Sequence, residues 1–230
     1  MPLLVFFLSF DLPFFAANAL KFLHGGYIPI IIGALFFTVM VVWRRGRRML
    51  ADALHGLAMP VEKFAAEYCG PNAPDHLQCR IKGTAVVMAS VTEGVPALLV
   101  HHVQRLHVLH ETLIFLTVVT ARVPYTDPRM RATVSKLDGG LLRVIGTYGF
   151  MEGPDVPALL LEAKQAGLEA DLDDVTYFLG RETILALPGG HMGEIEETIF
   201  AALSRNSRPA TSYFKLPPGQ VIEIGTQIDL

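Results

Sequence analysis

Charge is scarce in this chain. Only 18% of its 230 residues are Asp, Glu, Lys or Arg, against about a quarter in an ordinary soluble domain, while 51% are hydrophobic. The net charge is -3, which offers nucleic acid no basic surface, and the glycines and prolines follow no repeat, so collagen-like and disordered classes are excluded. Cysteine is limited to Cys69 and Cys79. No G-x-S-x-G elbow, G-x-x-x-x-G-K-[ST] loop or H-E-x-x-H helix occurs, and nothing among the motifs argues for an enzyme or a cofactor.

The excess apolar content lies in the first fifty residues, whose charges are Asp11, Lys21, Arg44, Arg45, Arg47 and Arg48, a net +4 against -7 for the rest. That asymmetry suggests a membrane-associated segment joined to a soluble domain. From Gly25 to Trp43 there is no charge. About 18 helical residues at ~1.5 Å each match the bilayer's hydrocarbon thickness, so the spacing predicts a transmembrane helix over 26–43. Pro29 suits its first turn and Trp43 the water interface. Residues 1–22 are equally apolar; their first ten carry no charge, unlike a secretory signal, and they read as a second membrane helix. The cluster Arg44, Arg45, Arg47 and Arg48 predicts a cytoplasmic end, anchored to anionic lipid, with both termini inside.

Asp11 is the informative residue, since a carboxylate in hydrocarbon costs several kcal/mol unless it meets partners or water. With Pro13 and Asn18 it points to a larger helical bundle, of which this sequence is the C-terminal piece; the alternative places Asp11 at an interfacial helix start.

Three regions follow: 1–48 for the hairpin, 49–80 as a linker with a short amphipathic helix near 48–58, and 81–230 as an α/β or α+β domain around a mixed sheet. Strands are predicted at 84–89, 113–119, 131–135, 141–147, 175–179, 183–187 and 221–224, and helices at 96–105, 155–167 and 194–204. Asp155 is the expected N-cap of the second helix and Gly167 its stop.

Candidate sites are weak. Cys69, His76 and Cys79, with His55 upstream, match no common zinc spacing, and the histidines of 101–110 read more readily as helix-end residues than as ligands. Pro188 to Gly193 lies where backbone amides cradle a phosphate, yet Glu194, Glu196 and Glu197 fill the next helical turn and favour capping instead. Tyr148, Arg181 and Glu182 lie beside predicted strand ends and form a candidate regulatory ligand site, weighed against an ion pair or packing.

The run Phe10-Asp11-Leu12-Pro13-Phe14-Phe15-Ala16-Ala17-Asn18-Ala19-Leu20-Lys21, then Trp43-Arg44-Arg45-Gly46-Arg47, resembles the end of the membrane part of the Kup (KUP/HAK/KT) potassium uptake family. Val108-Leu109-His110-Glu111, Tyr148-Gly149-Phe150-Met151-Glu152-Gly153-Pro154-Asp155-Val156-Pro157, Tyr177-Phe178-Leu179-Gly180-Arg181-Glu182-Thr183, Arg205-Asn206 and the ending from Tyr213 to Gly225 continue the resemblance through the chain. It implies potassium transport across the bacterial inner membrane, coupled to proton entry, by a multi-pass protein whose C-terminal domain is cytoplasmic. The implied partners are the rest of the membrane bundle, the lipid bilayer and a second copy of the chain. The family's ion-coordinating acids lie in earlier helices, so no residue here inherits that role, and a hairpin alone builds no midplane ion site.

Overall fold

The computed structural model describes residues 2–20, 22, 25–70, 80–90, 93–185 and 193–229, with only the backbone path for 183–185, 194 and 227–229. Two long apolar helices come first, α1 (Pro2–Leu20) and α2 (Tyr27–Gly56). Both are long and apolar enough to cross a membrane. No residue of α1 is buried. Its polar side chains fold back on their own helix: the Ser9 hydroxyl donates to the Phe6 carbonyl at 2.7 Å and the Asn18 amide to the Phe14 carbonyl at 2.9 Å. In α2 the Thr38 hydroxyl does the same to Ala34 at 2.8 Å. Such bonds satisfy polar groups where no water is available.

α2 does not stop where its apolar stretch ends. The sequence predicts a break after Trp43 and a separate helix over 48–58, whereas the helix runs unbroken for 30 residues, about 45 Å at 1.5 Å per residue. Arg44 to Arg48 contain no helix terminator; Gly46 alone weakens the run, by ~1 kcal/mol. Beyond Trp43 the helix turns amphipathic, and Val42, Gly46 and Leu50 are buried at a four-residue spacing.

The segment read as a linker also packs. Met59 bridges Val95, and α3 (Val61–Phe64) with the π-turn Ala65–Cys69 drives Phe64 and Tyr68 into the core beside Leu99 and Phe115.

The domain is a three-layer α/β sandwich. Its strands are β1 (Ile81–Met88), β2 (His110–Ala121), β3 (Ala132–Lys136), β4 (Leu142–Gly149), β5 (Val175–Leu185) and β6 (Val221–Asp229), in the order β3-β4-β2-β1-β5-β6. All neighbours are parallel except β3 against β4, so the sheet is mixed with one antiparallel edge. Central strands buried on both faces read as continuous apolar runs, as in Ala85-Val86-Val87 and Leu113 to Leu116. Helix α4 (Ala97–Leu106) joins α3 on one face; α5 (Val156–Gln165) covers the other with Val156, Leu159, Leu160 and Ala163. The Asp155 carboxylate caps α5 by accepting from the Ala158 N–H at 3.0 Å.

One strand assignment changes. Residues 175–179 and 183–187 are predicted as two strands, but β5 is a single strand through Gly180, Arg181 and Glu182, because β6 pairs with it from Tyr177 to Leu185. Helix α6 (Glu194–Arg205) and the short α7 (Ala210–Tyr213) lead to β6.

Candidate functional site

The order of the parallel strands, β4-β2-β1-β5-β6, reverses direction between β1 and β5. Adjacent crossovers leave on opposite sides there, which opens a crevice beyond the carboxyl ends of the strands, the usual ligand position in doubly wound sheets. In this protein the crevice is roofed by the lower half of α2. The cavity measures about 460 Å3. Its floor carries Met88, Ser90, Leu179 and Glu182 from the strand ends, and α2 supplies Arg47 and Leu54. A second hollow of about 610 Å3 is lined by charges of both signs, Glu62, Glu93, Asp138, Lys136 and Arg143, and selects for no single ligand charge.

The helix roof is held by α6. Phe200 is fully buried, its ring centroid 5.5 Å from that of Trp43, and Arg45 Nη1 reaches Glu196 Oε2 at 2.9 Å. Arg47 stands over the Trp43 ring at 5.9 Å and has no carboxylate partner among the described residues. Arg44 and Arg48 are exposed, as a face meeting lipid headgroups or solvent would be. Glu197 is buried in α6, and its Oε1 has no hydrogen-bond partner among the described residues. Asp11 and Asn18 are exposed along α1, and Asp11 has no partner among the described residues.

The three residues proposed as a ligand site are not brought together. Glu182 lines the cavity. Arg181 is largely exposed and pairs with Glu223 of β6 at 3.5 Å. Tyr148 is buried at the end of β4, where its hydroxyl donates to the Asp155 carbonyl at 3.0 Å and accepts from the Asp155 N–H at 3.3 Å. Burial pushes the Tyr148 phenol up from its ordinary value.

Around Tyr148 lies an ionic knot that sequence reasoning missed. The Arg131 guanidinium sits 4.9 Å over the Tyr148 ring, with Nη2 at 2.7 Å from Glu152 and Nη1 at 2.9 Å from Glu162. The other Glu152 oxygen accepts from the Gly149 N–H at 2.6 Å, the Thr126 hydroxyl at 2.8 Å and the Thr126 N–H at 3.1 Å. Those donors, the Gly149 N–H first, hold the Glu152 carboxyl down at about 2. The knot ties the β4 end, the loop before β3 and α5 together, and its groups bind one another rather than face a cavity. Only the Tyr-Gly-x-x-Glu spacing hints at it, since Gly149 and Glu152 must close a tight turn.

Of the histidines, His102 lies edge-on to Phe178 with ring centroids 5.0 Å apart, and burial lowers its pKa. His107 caps α4 in the left-handed region. Cys69 is a free thiol; His76, Cys79 and the Pro188–Met192 part of the phosphate-cradle reading lie outside the described residues. Among the described residues no group of His, Cys, Asp and Glu is arranged to hold a metal.

Residues 82–230 match the family model described as the K+ potassium transporter C-terminal domain, and residues 1–48 match that of the K+ potassium transporter integral membrane domain. The relatives include the "Probable potassium transport system protein Kup" of Myxococcus xanthus (strain DK1622), 37% identical over all of this chain and 34% of its own length. The protein of the same name from Zymomonas mobilis subsp. mobilis is 39% identical over the same shares. The "Probable potassium transport system protein Kup 1" of Geobacter sulfurreducens is 40% identical over 99% of this chain and 36% of its own length. The chain thus spans about a third of the length of the relatives it matches. No solved structure matches it.

Proposed function

The chain belongs to the K+ potassium transporter family, and from that premise we propose that it is the C-terminal part of a potassium uptake transporter. It supplies two membrane helices and a cytoplasmic domain that regulates or pairs the protomers. In this reading residues 1–48 join the membrane bundle, 49–80 couple it to the domain, and 81–230 lie in the cytoplasm of a bacterial cell as one half of a homodimer. Potassium is the cargo and proton entry the driving force, both handled by helices outside this chain. The observation that carries the reading is α2, which leaves its apolar stretch at Trp43, passes through Arg44 to Arg48 and enters the domain as one helix. An arginine-rich exit is the mark of a cytoplasmic end.

The test is growth of a bacterium lacking potassium uptake on limiting potassium. The complete transporter that contains this chain restores growth; this chain alone does not. Uptake by the chain alone overturns the assignment of the ion site to other helices. Glutamine at Arg44, Arg45, Arg47 and Arg48 is expected to scramble the hairpin's topology, read by cysteine accessibility at Ser9 and Ala58 replaced by cysteine, and unchanged topology removes the anchoring role.

A second reading, a membrane-anchored ligand-binding regulator, is favoured by the crevice beneath α2, in which Glu182 lies but Tyr148 and Arg181 do not.

A further inference from the structure

The crevice between β1 and β5 has the dimensions and the chemistry of a small-ligand site. Its volume of about 460 Å3 falls within the range of such pockets, and most of its wall is apolar: Leu54 above, Met88 and Leu179 below, Phe214 at the side. A few polar groups converge on it. Arg47 contributes a guanidinium that forms no ion pair among the described residues, and Ser90, Thr226 and Glu182 contribute hydroxyls and one carboxylate. The start of α4 also reaches the cavity through Ala97 and Leu98, whose first-turn amides have no acceptor among the described residues. Gly180 lies in the wall, where an added Cβ would meet only Glu182 Oε1 at 3.4 Å, so a flat body can approach the strand there.

A cation and open amides at an otherwise apolar slot select an anion with a planar hydrophobic body, and a carboxylate with two hydroxyls suits a polyol between the two. We propose that the crevice binds an organic phosphate of mononucleotide size, its phosphate on Arg47, its hydroxyls on Glu182 and Thr226, and its ring between the apolar walls. This rests on the ligand-binding reading of the domain and not on potassium transport. The consequence for the membrane is direct, because the same helix that carries Arg47 and Leu54 carries the apolar stretch from Tyr27 to Val42. A ligand joining α2 to the sheet favours the docked position of α2 over any other by its differential affinity for the two.

The chain holds a single tryptophan, and Arg47 lies over its ring. A phosphate that draws Arg47 away changes Trp43 fluorescence. The experiment titrates the whole chain in detergent micelles with adenosine monophosphate, adenosine and inorganic phosphate, following Trp43 emission at the red edge of its absorption and the heat of binding. Saturable binding of the monophosphate is expected, with adenosine and phosphate each much weaker. Arg47→Gln weakens it by about tenfold or more, the loss of a charge-assisted contact. Gly180→Val, which fills the slot, abolishes it, and Arg48→Gln leaves it unchanged. Inorganic phosphate binding as tightly as the monophosphate overturns the ligand class while leaving a ligand site. Binding that survives Gly180→Val overturns the location, and absence of heat and of any fluorescence change with all three overturns both the proposal and the ligand-binding reading.

Discussion

Phe200 lies so close to Gly46 that a Cβ built on the glycine would come within 2.5 Å of the ring. The long apolar helix and the sheet domain therefore meet backbone to aromatic face, with the Trp43 ring tilted against Phe200. A close approach of this kind makes α2 a part of the domain's structure rather than a tether, and it explains why a glycine is tolerated in the middle of an arginine-rich helix.

Gly46→Leu is expected to part α2 from α6. Overpacking typically costs ~1–3 kcal/mol, and here it acts on one helix pair rather than on the sheet. Trp43 emission shifts to the red as its ring loses Phe200, while the far-ultraviolet circular dichroism of the domain stays unchanged. Emission identical to that of the parent chain would show that the two helices do not depend on this contact.

Asp155→Ala removes the α5 cap and the partner of Lys215. Loss of an N-cap side chain costs about 1 kcal/mol. A lowered urea midpoint at unchanged slope is the expected result, and Asp155→Asn, which keeps an acceptor for the Ala158 N–H, is expected to recover most of it.

Stability should fall at low pH through Glu152. Its folded-state pKa of about 2 lies below the ordinary value of 4.5, so its contribution is complete above the unfolded pKa and disappears as pH falls from there through the folded value. Urea midpoints measured from neutral pH down to about 2 are expected to drop more steeply for the parent than for Glu152→Gln, which cannot titrate. Parallel curves for the two proteins would remove Glu152 as a source of acid sensitivity.

Tyr148→Phe deletes a hydroxyl with two bonds to the Asp155 backbone while keeping the ring under Arg131. About 1 kcal/mol of stability is expected to be lost, as for a typical hydrogen bond. Because Tyr148 lies outside the crevice, monophosphate binding should be unchanged, and calorimetry on the variant checks both statements.

Asp11→Leu should ease insertion of α1 in the isolated chain, by about 3 kcal/mol if the residue sits at mid-bilayer, since no partner among the described residues compensates the carboxylate. A membrane-insertion assay with glycosylation tags on either side of α1 measures the change. No improvement would place Asp11 at the water interface instead.

Much of this architecture is legible in the sequence. Apolar length locates two helices long enough to cross a membrane, because a bilayer selects on length and composition. Continuous apolar runs at 85–87 and 113–116, with a helical period at 156–163, located the central strands and α5, because periodicity records which faces are buried. The motifs from Phe10 to Gly225 were enough to name the family. Four features came only from the folded chain. Where α2 packs beyond Trp43 depended on Phe200, 154 residues distant, covering Gly46. Whether 175–185 is one strand or two depended on β6 pairing across Gly180, which local propensity cannot register. The ionic knot and the crevice are equally non-local: Arg131, Glu152 and Glu162 meet through the β3, β4 and α5 arrangement, and Arg47 and Glu182 line one cavity only because the strand order turns back between β1 and β5. Sequence patterns fix what a segment buries; which distant segment buries it is decided by topology, where many weak contacts are satisfied together.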